Sequence, residues 1–147
     1  MNLGNLMLLN LLAAAAVMAL AWAAHLLERK ASVVDAFWGP GFAVVAWISL
    51  AQSSGPIGRQ LLIALVVSVW ALRLAWHVTR RNRGKPEDPR YARMRQRNPH
   101  TFWYRSLLTV FMLQAAVLWV VALPVQLGMR PGDGVGFLGL LGLLVWG

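Results

Sequence analysis

Arg73, His77 and Arg80 recur at i, i+4 and i+7, a spacing that aligns all three on one face of a helix. Trp70 joins that face. The chain then runs Arg-Arg-Asn-Arg-Gly-Lys from Arg80 to Lys85 and on through Glu87, Asp88, Arg90 and Tyr91, and nine of its fourteen Lys/Arg residues fall between Arg80 and Arg105. Guanidinium groups meet phosphate oxygens in pairs, and backbone N–H groups of a glycine turn add donors. Asn82, Arg83, Gly84 and Lys85 can therefore grip a diphosphate or a ribose 2′-phosphate, with Glu87 and Asp88 accepting from ribose hydroxyls or orienting the arginines. The plainer alternative is a basic cluster that sets membrane topology and attracts anionic lipid. Glu87 and Asp88 are unexpected in a patch with that role alone.

Asp35 is the other candidate for chemistry. It opens Asp-Ala-Phe-Trp-Gly-Pro-Gly-Phe, where Pro40 must kink or start a helix and Gly39 and Gly41 permit close backbone approach. The segment is either a packing kink or a local opening in which a flat ligand ring meets Phe37 and Trp38. Arg73 lies about 10 Å above Arg80 along a helix axis, at a depth similar to that of Asp35. The two either form an ion pair, which a charge inside the membrane seeks, or Arg73 roofs an anion pocket and Asp35 serves as proton donor or polar gate. His25, His77 and His100 show no metal-ligand spacing, and no Ser-His-Asp arrangement is visible.

The elements that hold these residues are membrane spans. Of the 147 residues 59% are apolar and 13% charged, far from the average of a soluble globular chain. Leu6 to Leu27 and Ser106 to Leu127 are uninterrupted by Asp, Glu, Lys or Arg, and each reaches the roughly 20 residues a spanning helix needs. Val33 to Leu50 and Leu61 to Val78 are also long enough, each with one charge, Asp35 and Arg73. The fold class expected is an all-α bundle with four complete spans and a truncated fifth, from Val135 to Gly147, forming the N-terminal part of a longer protein. Residues 1–147 form a single transmembrane domain on this reading. Gly136, Gly139 and Gly142 would allow close helix packing there, and Gly132, Gly134 and Gly136 do not make a dinucleotide fingerprint.

Residues 80–101 form the basic loop. Asp88 reads as an N-cap with Pro89 in the first helical position, and Asn98-Pro99 closes the segment, so a short interfacial helix is predicted over Pro89 to Arg97. Arg90, Arg93 and Arg97 share one face, and Tyr91 and Met94 form a more lipid-compatible one. Glu28, Arg29 and Lys30 follow span one and the basic loop follows span three, so the positive-inside rule makes both connections cytoplasmic with the N-terminus outside. Trp76, Trp103 and Tyr104 fit interfacial anchoring. With its aromatic residues embedded in spans, the chain does not read as a nucleic-acid binder.

The ordered motifs from Val33 to Phe42 and from Trp70 to Arg95, including Trp-Ala-Leu-Arg-Leu-Ala-Trp-His and Glu-Asp-Pro-Arg-Tyr-Ala-Arg-Met-Arg, resemble the bacterial branch of steroid 5-alpha-reductase-like membrane proteins. The resemblance implies a helical membrane reductase of about twice this length that binds NADPH at the cytoplasmic side of the bacterial inner membrane. Asn82-Arg83-Gly84-Lys85-Pro86 resembles that family's Asn-Arg-Gly-Arg-Pro loop, which meets the cofactor phosphates; Lys85 replaces an arginine. The implied cofactor set is Arg73, His77, Asn82, Arg83, Lys85, Glu87, Asp88, Arg90 and Tyr91, with Asp35 the counterpart of an acidic residue in span two. Span three lacks the tyrosine that polarises a steroid carbonyl, and a His-Pro-x-Tyr-x-Gly-Glu type motif would follow Gly147.

The leading expectation is the N-terminal portion of an NADPH-dependent reductase acting on a double bond of a hydrophobic lipid or steroid-like substrate, active at full length and inactive as residues 1–147 alone. Two alternatives are an S-adenosylmethionine-dependent membrane methyltransferase of related architecture and a non-enzymatic scaffold that binds anionic lipid.

Overall fold

Asn2 opens the first helix, α1 (Leu3–Glu28), by accepting the Asn5 N–H on its side chain at 2.8 Å, which satisfies a donor that every helix start leaves free. The computed structural model describes residues 2–54, 57–130 and 136–146. α1 ends at Arg29, held in the left-handed region at φ 56°. The chain then enters a 3-10 segment, Ala31–Phe37, that runs directly into α2 (Trp38–Ala51). Pro40 therefore starts a helix and does not kink one: it lies in the first turn of α2, where a missing N–H costs nothing.

The glycines beside it set the helix spacing. A Cβ on Gly39 would collide with the Ala71 carbonyl of α3 (Ile57–Asn82), and one on Gly41 with the Leu118 side chain. α2 thus lies directly on α3 while remaining in contact with α1 and with the fourth span. The buried positions of α3 are Gln60, Ala64, Ala71 and Val78, spaced by four and seven residues on one stripe facing inward. Only 17% of its most apolar window is buried, so α3 is an outer helix of the bundle with one broad face uncovered.

After the basic loop come α4 (Pro89–Arg97) and α5 (Phe102–Ser106), a π-helical segment Leu107–Met112, and α6 (Leu113–Val121). Phe102–Val121 forms the fourth helix long and apolar enough to cross a membrane, after Leu3–Glu28, Ala31–Ala51 and Ile57–Asn82. The sequence predicts this last span through to Leu127, but it stops at Val121. Pro124 cannot donate to Val120, so the chain re-forms as a separate helix, α7 (Leu123–Gly128). α8 (Phe137–Trp146) follows. Among the described residues, a Cβ on Gly136 or Gly142 meets open space. Val135, Gly147, Gly132 and Gly134 lie outside the described residues, as does the setting of Gly139.

The core joins α1, the 3-10 segment, α2 and the fourth span through Met18, Val34, Phe42, Phe111 and Leu118. Asn10, a polar residue in an apolar run, is fully buried, and its Nδ2 donates to Ser49 Oγ at 2.8 Å and Gln126 Oε1 at 3.1 Å. That contact ties α1, α2 and α7 at the end of the bundle away from the basic loop.

Candidate functional site at the basic end

Glu87 fixes the basic loop to the rest of the molecule. Its Oε1 accepts the Ala31 N–H at 2.7 Å and Arg95 Nη2 at 3.0 Å, while Oε2 accepts Arg95 Nε at 3.2 Å. Arg95 Nη2 also donates to the Arg29 carbonyl at 2.9 Å, and the guanidinium carbon lies 4.8 Å from the centre of the Phe102 ring. Lys30 Nζ adds a second tie, donating to the Lys85 carbonyl at 2.7 Å. The left-handed turn at Arg29 is what presents its carbonyl and the Ala31 amide to the loop. Beneath this layer His25 is buried, edge-on to Phe102 and stacked on Phe111.

α4 has the bounds its sequence predicts, and for the predicted reason. The Asp88 side chain accepts the Arg90 N–H at 2.8 Å as N-cap, with Pro89 behind it. Arg90 also returns Nε and Nη2 to the two carboxylate oxygens, both at 3.1 Å. Those hydrogen bonds hold the Asp88 carboxyl below the usual carboxylate range and raise the Arg90 guanidinium above its usual value. Tyr91 is not presented to lipid: it is buried in the core and Met94 packs against the same cluster. Burial, reinforced by the charge of Asp35, pushes the Tyr91 phenol up, so it remains a proton-bearing group at neutral pH.

Between the loop and the first connection lies a cavity of about 440 Å³. Glu28, Lys30 and Ser32 line one side, Asn82, Arg83 and Gly84 face them, and Val33, Ala36 and Phe37 supply an apolar wall. A recess of about 180 Å³ adjoins it, sharing Ser32 and Asn82 and adding Asp35, Arg81, Lys85, Pro86 and Asp88. Gly84 makes the turn between them at φ 75°, with the Lys85 N–H donating to the Asn82 carbonyl at 3.2 Å. Around the two spaces stand four cations, Lys30, Arg81, Arg83 and Lys85, against three carboxylates, Glu28, Asp35 and Asp88. Asp88 is already neutralised by Arg90. The remaining balance suits an anion with a flat or apolar portion beside it.

The candidate residues divide into three groups. Asp35, Asn82, Arg83, Lys85 and Asp88 line the cavity and its recess. Glu87, Arg90 and Tyr91 are committed to holding the loop and α4 in place. Arg73 and His77 stand apart, exposed in a separate groove of α3 with Trp70, Leu74 and Trp76. Arg73 makes no ion pair with Asp35. Among the described residues the ion pairs are Arg90–Asp88 and Arg95–Glu87, because Asp35 projects from the 3-10 segment toward the α3 terminus while Arg73 is on the uncovered flank.

Sequence reading passed over Lys30, Ser32 and Arg81 as site residues. The spacing that brings Ser32 in line with Asp35 is three residues, which eclipses side chains in a 3-10 turn, but the 3-10 conformation was not legible and so neither was Ser32.

The fold and this basic, half-apolar cleft define an integral membrane helical protein with an anion-suited site at one end of its bundle. The chain belongs to the family described as "Protein of unknown function (DUF1295)", whose model matches residues 21–146, from the second half of α1 to the end of α8. No curated protein and no solved structure matches it.

Proposed function

We propose that the protein is an NADPH-dependent membrane reductase acting on a double bond of a hydrophobic, lipid or steroid-like substrate, with the cofactor phosphates at the Asn82–Lys85 turn. The observation that carries this reading is the cavity itself, which sets Asn82, Arg83 and the backbone of Gly84 opposite an apolar wall of Val33, Ala36 and Phe37. NADPH supplies the hydride. The work left to the chain is to bind phosphate, order the turn and hold a proton nearby. Arg83 and Lys85 serve the first task, Glu87 through Arg95 and Ala31 the second, and Asp35, half-buried in the adjoining recess, the third. Arg73 and His77 fall outside the cavity and have no part in this binding mode. The resemblance of Asn82-Arg83-Gly84-Lys85-Pro86 to the reductase loop supports the choice of cofactor over S-adenosylmethionine. The Lys/Arg asymmetry supports a bacterial inner-membrane orientation with this end cytoplasmic.

Titration of the detergent-purified protein with NADPH and NADH tests the reading. NADPH is expected to bind more tightly, and Arg83→Ala to weaken it by about 1.5 to 3 kcal/mol, the range for a charge-assisted hydrogen bond. Arg130→Ala, exposed at the far end, is expected to change nothing. Equal affinity for the two nucleotides, or an Arg83 variant that binds NADPH as the parent does, overturns the reading.

A further inference from the structure

The uncovered flank of α3 carries a charge that no described residue answers. Arg73 and His77 are exposed there, beside Trp70 and Trp76 at 39% and 70% exposure, around an open groove of about 530 Å³. Trp70 is braced from behind, its ring edge-on to Phe42 of α2 at 5.4 Å. α3 is 26 residues long, about 39 Å at 1.5 Å per residue, against a hydrocarbon core of about 30 Å. Centred on that core, the helix places the Arg73 backbone roughly 10 Å inside the hydrocarbon edge, His77 about 6 Å nearer the surface, and Arg80 at the edge itself. A guanidinium at that depth extends toward the headgroups and draws an anion or water inward.

No described carboxylate is available to meet it. Glu87 is bound to Arg95 and Asp88 to Arg90, Asp35 faces the recess, and Glu28 lines the cavity at the end of α1. A second copy brings the same described acids in the same engagements, so among the described residues pairing two copies along α3 offers Arg73 no free carboxylate. The bilayer's own anions are at the right level.

We infer that the groove formed by Trp70, Arg73, Trp76 and His77 is a binding site for the phosphate headgroup of an anionic membrane lipid. Arg73 reaches the phosphate from below and His77 from the side, Arg80 meets it at the surface, and the two tryptophans flank the proximal acyl chain. This site is separate from the cavity at the Asn82 turn and its occupancy does not depend on nucleotide.

Native mass spectrometry of the protein released from mixed micelles of phosphatidylglycerol and phosphatidylcholine tests it. The parent protein is expected to retain phosphatidylglycerol preferentially. Arg73→Gln is expected to reduce that retention about tenfold or more, the loss of a charge-assisted hydrogen bond. Arg73→Lys should restore part of it, which separates lost charge from lost fold, and Arg93→Gln with Arg97→Gln in α4 should leave it intact. Four results overturn the inference: retention unchanged in Arg73→Gln, retention that follows the α4 arginines, displacement of the lipid by inorganic phosphate at equal concentration, or a dimer that Arg73→Gln dissolves. NADPH affinity measured on the same variants is expected to be unchanged, so failure here and failure of the reductase reading are told apart.

Discussion

Glu87 and Arg95 meet through two parallel hydrogen bonds, at 3.0 and 3.2 Å, and the glutamate oxygen at the shorter of them also takes the Ala31 N–H. One carboxylate therefore joins α4, the loop before it and the start of the 3-10 segment. Its side chain is 13% exposed and that of Arg95 34%, so water screens the pair incompletely. Glu87→Gln keeps an acceptor for Ala31 but loses the paired geometry with Arg95, and is expected to cost about 1.5 to 3 kcal/mol in stability. Arg95→Gln should cost a similar amount. The double variant should lose clearly less than the sum, since each single change already breaks the same contact. Denaturation of the purified protein in detergent measures all three, and strict additivity would show that the two side chains act independently.

Asp88 gives a pH signature. Its carboxyl is held low by the Arg90 hydrogen bonds, so its folded pKa lies below the unfolded value of about 3.9. The capping contribution is then fully present above that unfolded value and is lost as pH falls through the lower folded one. Side-chain carbon NMR of labelled aspartate should find Asp88 titrating below about 3.9 and returning toward it in Arg90→Gln. A normal pKa in the parent protein would mean that the cap and ion pair do not persist in solution.

How much of this was legible in the sequence differs from residue to residue. The α4 helix could be read to its bounds because cap, proline and terminator are local signals: Asp88, Pro89 and Asn98 act on their own neighbours. The spans were legible for the same reason, apolar length being a property of the segment alone, but the fourth was read through Pro124 to Leu127 and stops at Val121, because apolar length by itself does not register a missing N–H. Partners were not legible. Glu87 finds Ala31, 56 residues away, and nothing local distinguishes that from a ribose acceptor. Arg73, His77 and Arg80 do share a helical face, but which way the face turns depends on Gly39 lying against Ala71 on the opposite side of α3. Tyr91 reads as interfacial in a helix of arginines, and it is buried because α4 docks onto the core.

The Gly39 contact leads to a packing prediction. A methyl group there has no room against the Ala71 carbonyl, and backbone cannot swing aside as a long side chain does. Gly39→Ala is expected to destabilise by about 1 to 3 kcal/mol, the usual cost of overpacking. Gly142→Ala in α8 meets nothing within 4 Å and, by helix propensity, should be neutral or stabilising by up to about 1 kcal/mol. Thermal unfolding of the two variants decides it, and equal midpoints would contradict the close crossing of α2 and α3.

Gly84 allows the turn's shape to be tested apart from its charge. Its φ of 75° lies where a Cβ crowds the following carbonyl, while no neighbouring atom approaches the added methyl within 4 Å. The strain in Gly84→Ala is thus conformational and local, about 1 to 2 kcal/mol. The turn is hinged at the Lys85 N–H and Asn82 carbonyl, so relief of the strain shifts Arg83 and Lys85 without removing either cation. If the turn grips phosphate through geometry, Gly84→Ala should weaken NADPH binding several-fold with net charge unchanged, while Gly58→Ala, helical and in open space on α3, should bind as the parent does. Raising the salt concentration should then weaken the parent and Gly84→Ala by similar factors, because both retain the same cations. Unchanged affinity in Gly84→Ala, with the expected loss in Arg83→Ala, would show that charge alone attracts the nucleotide and that the ordered turn is dispensable.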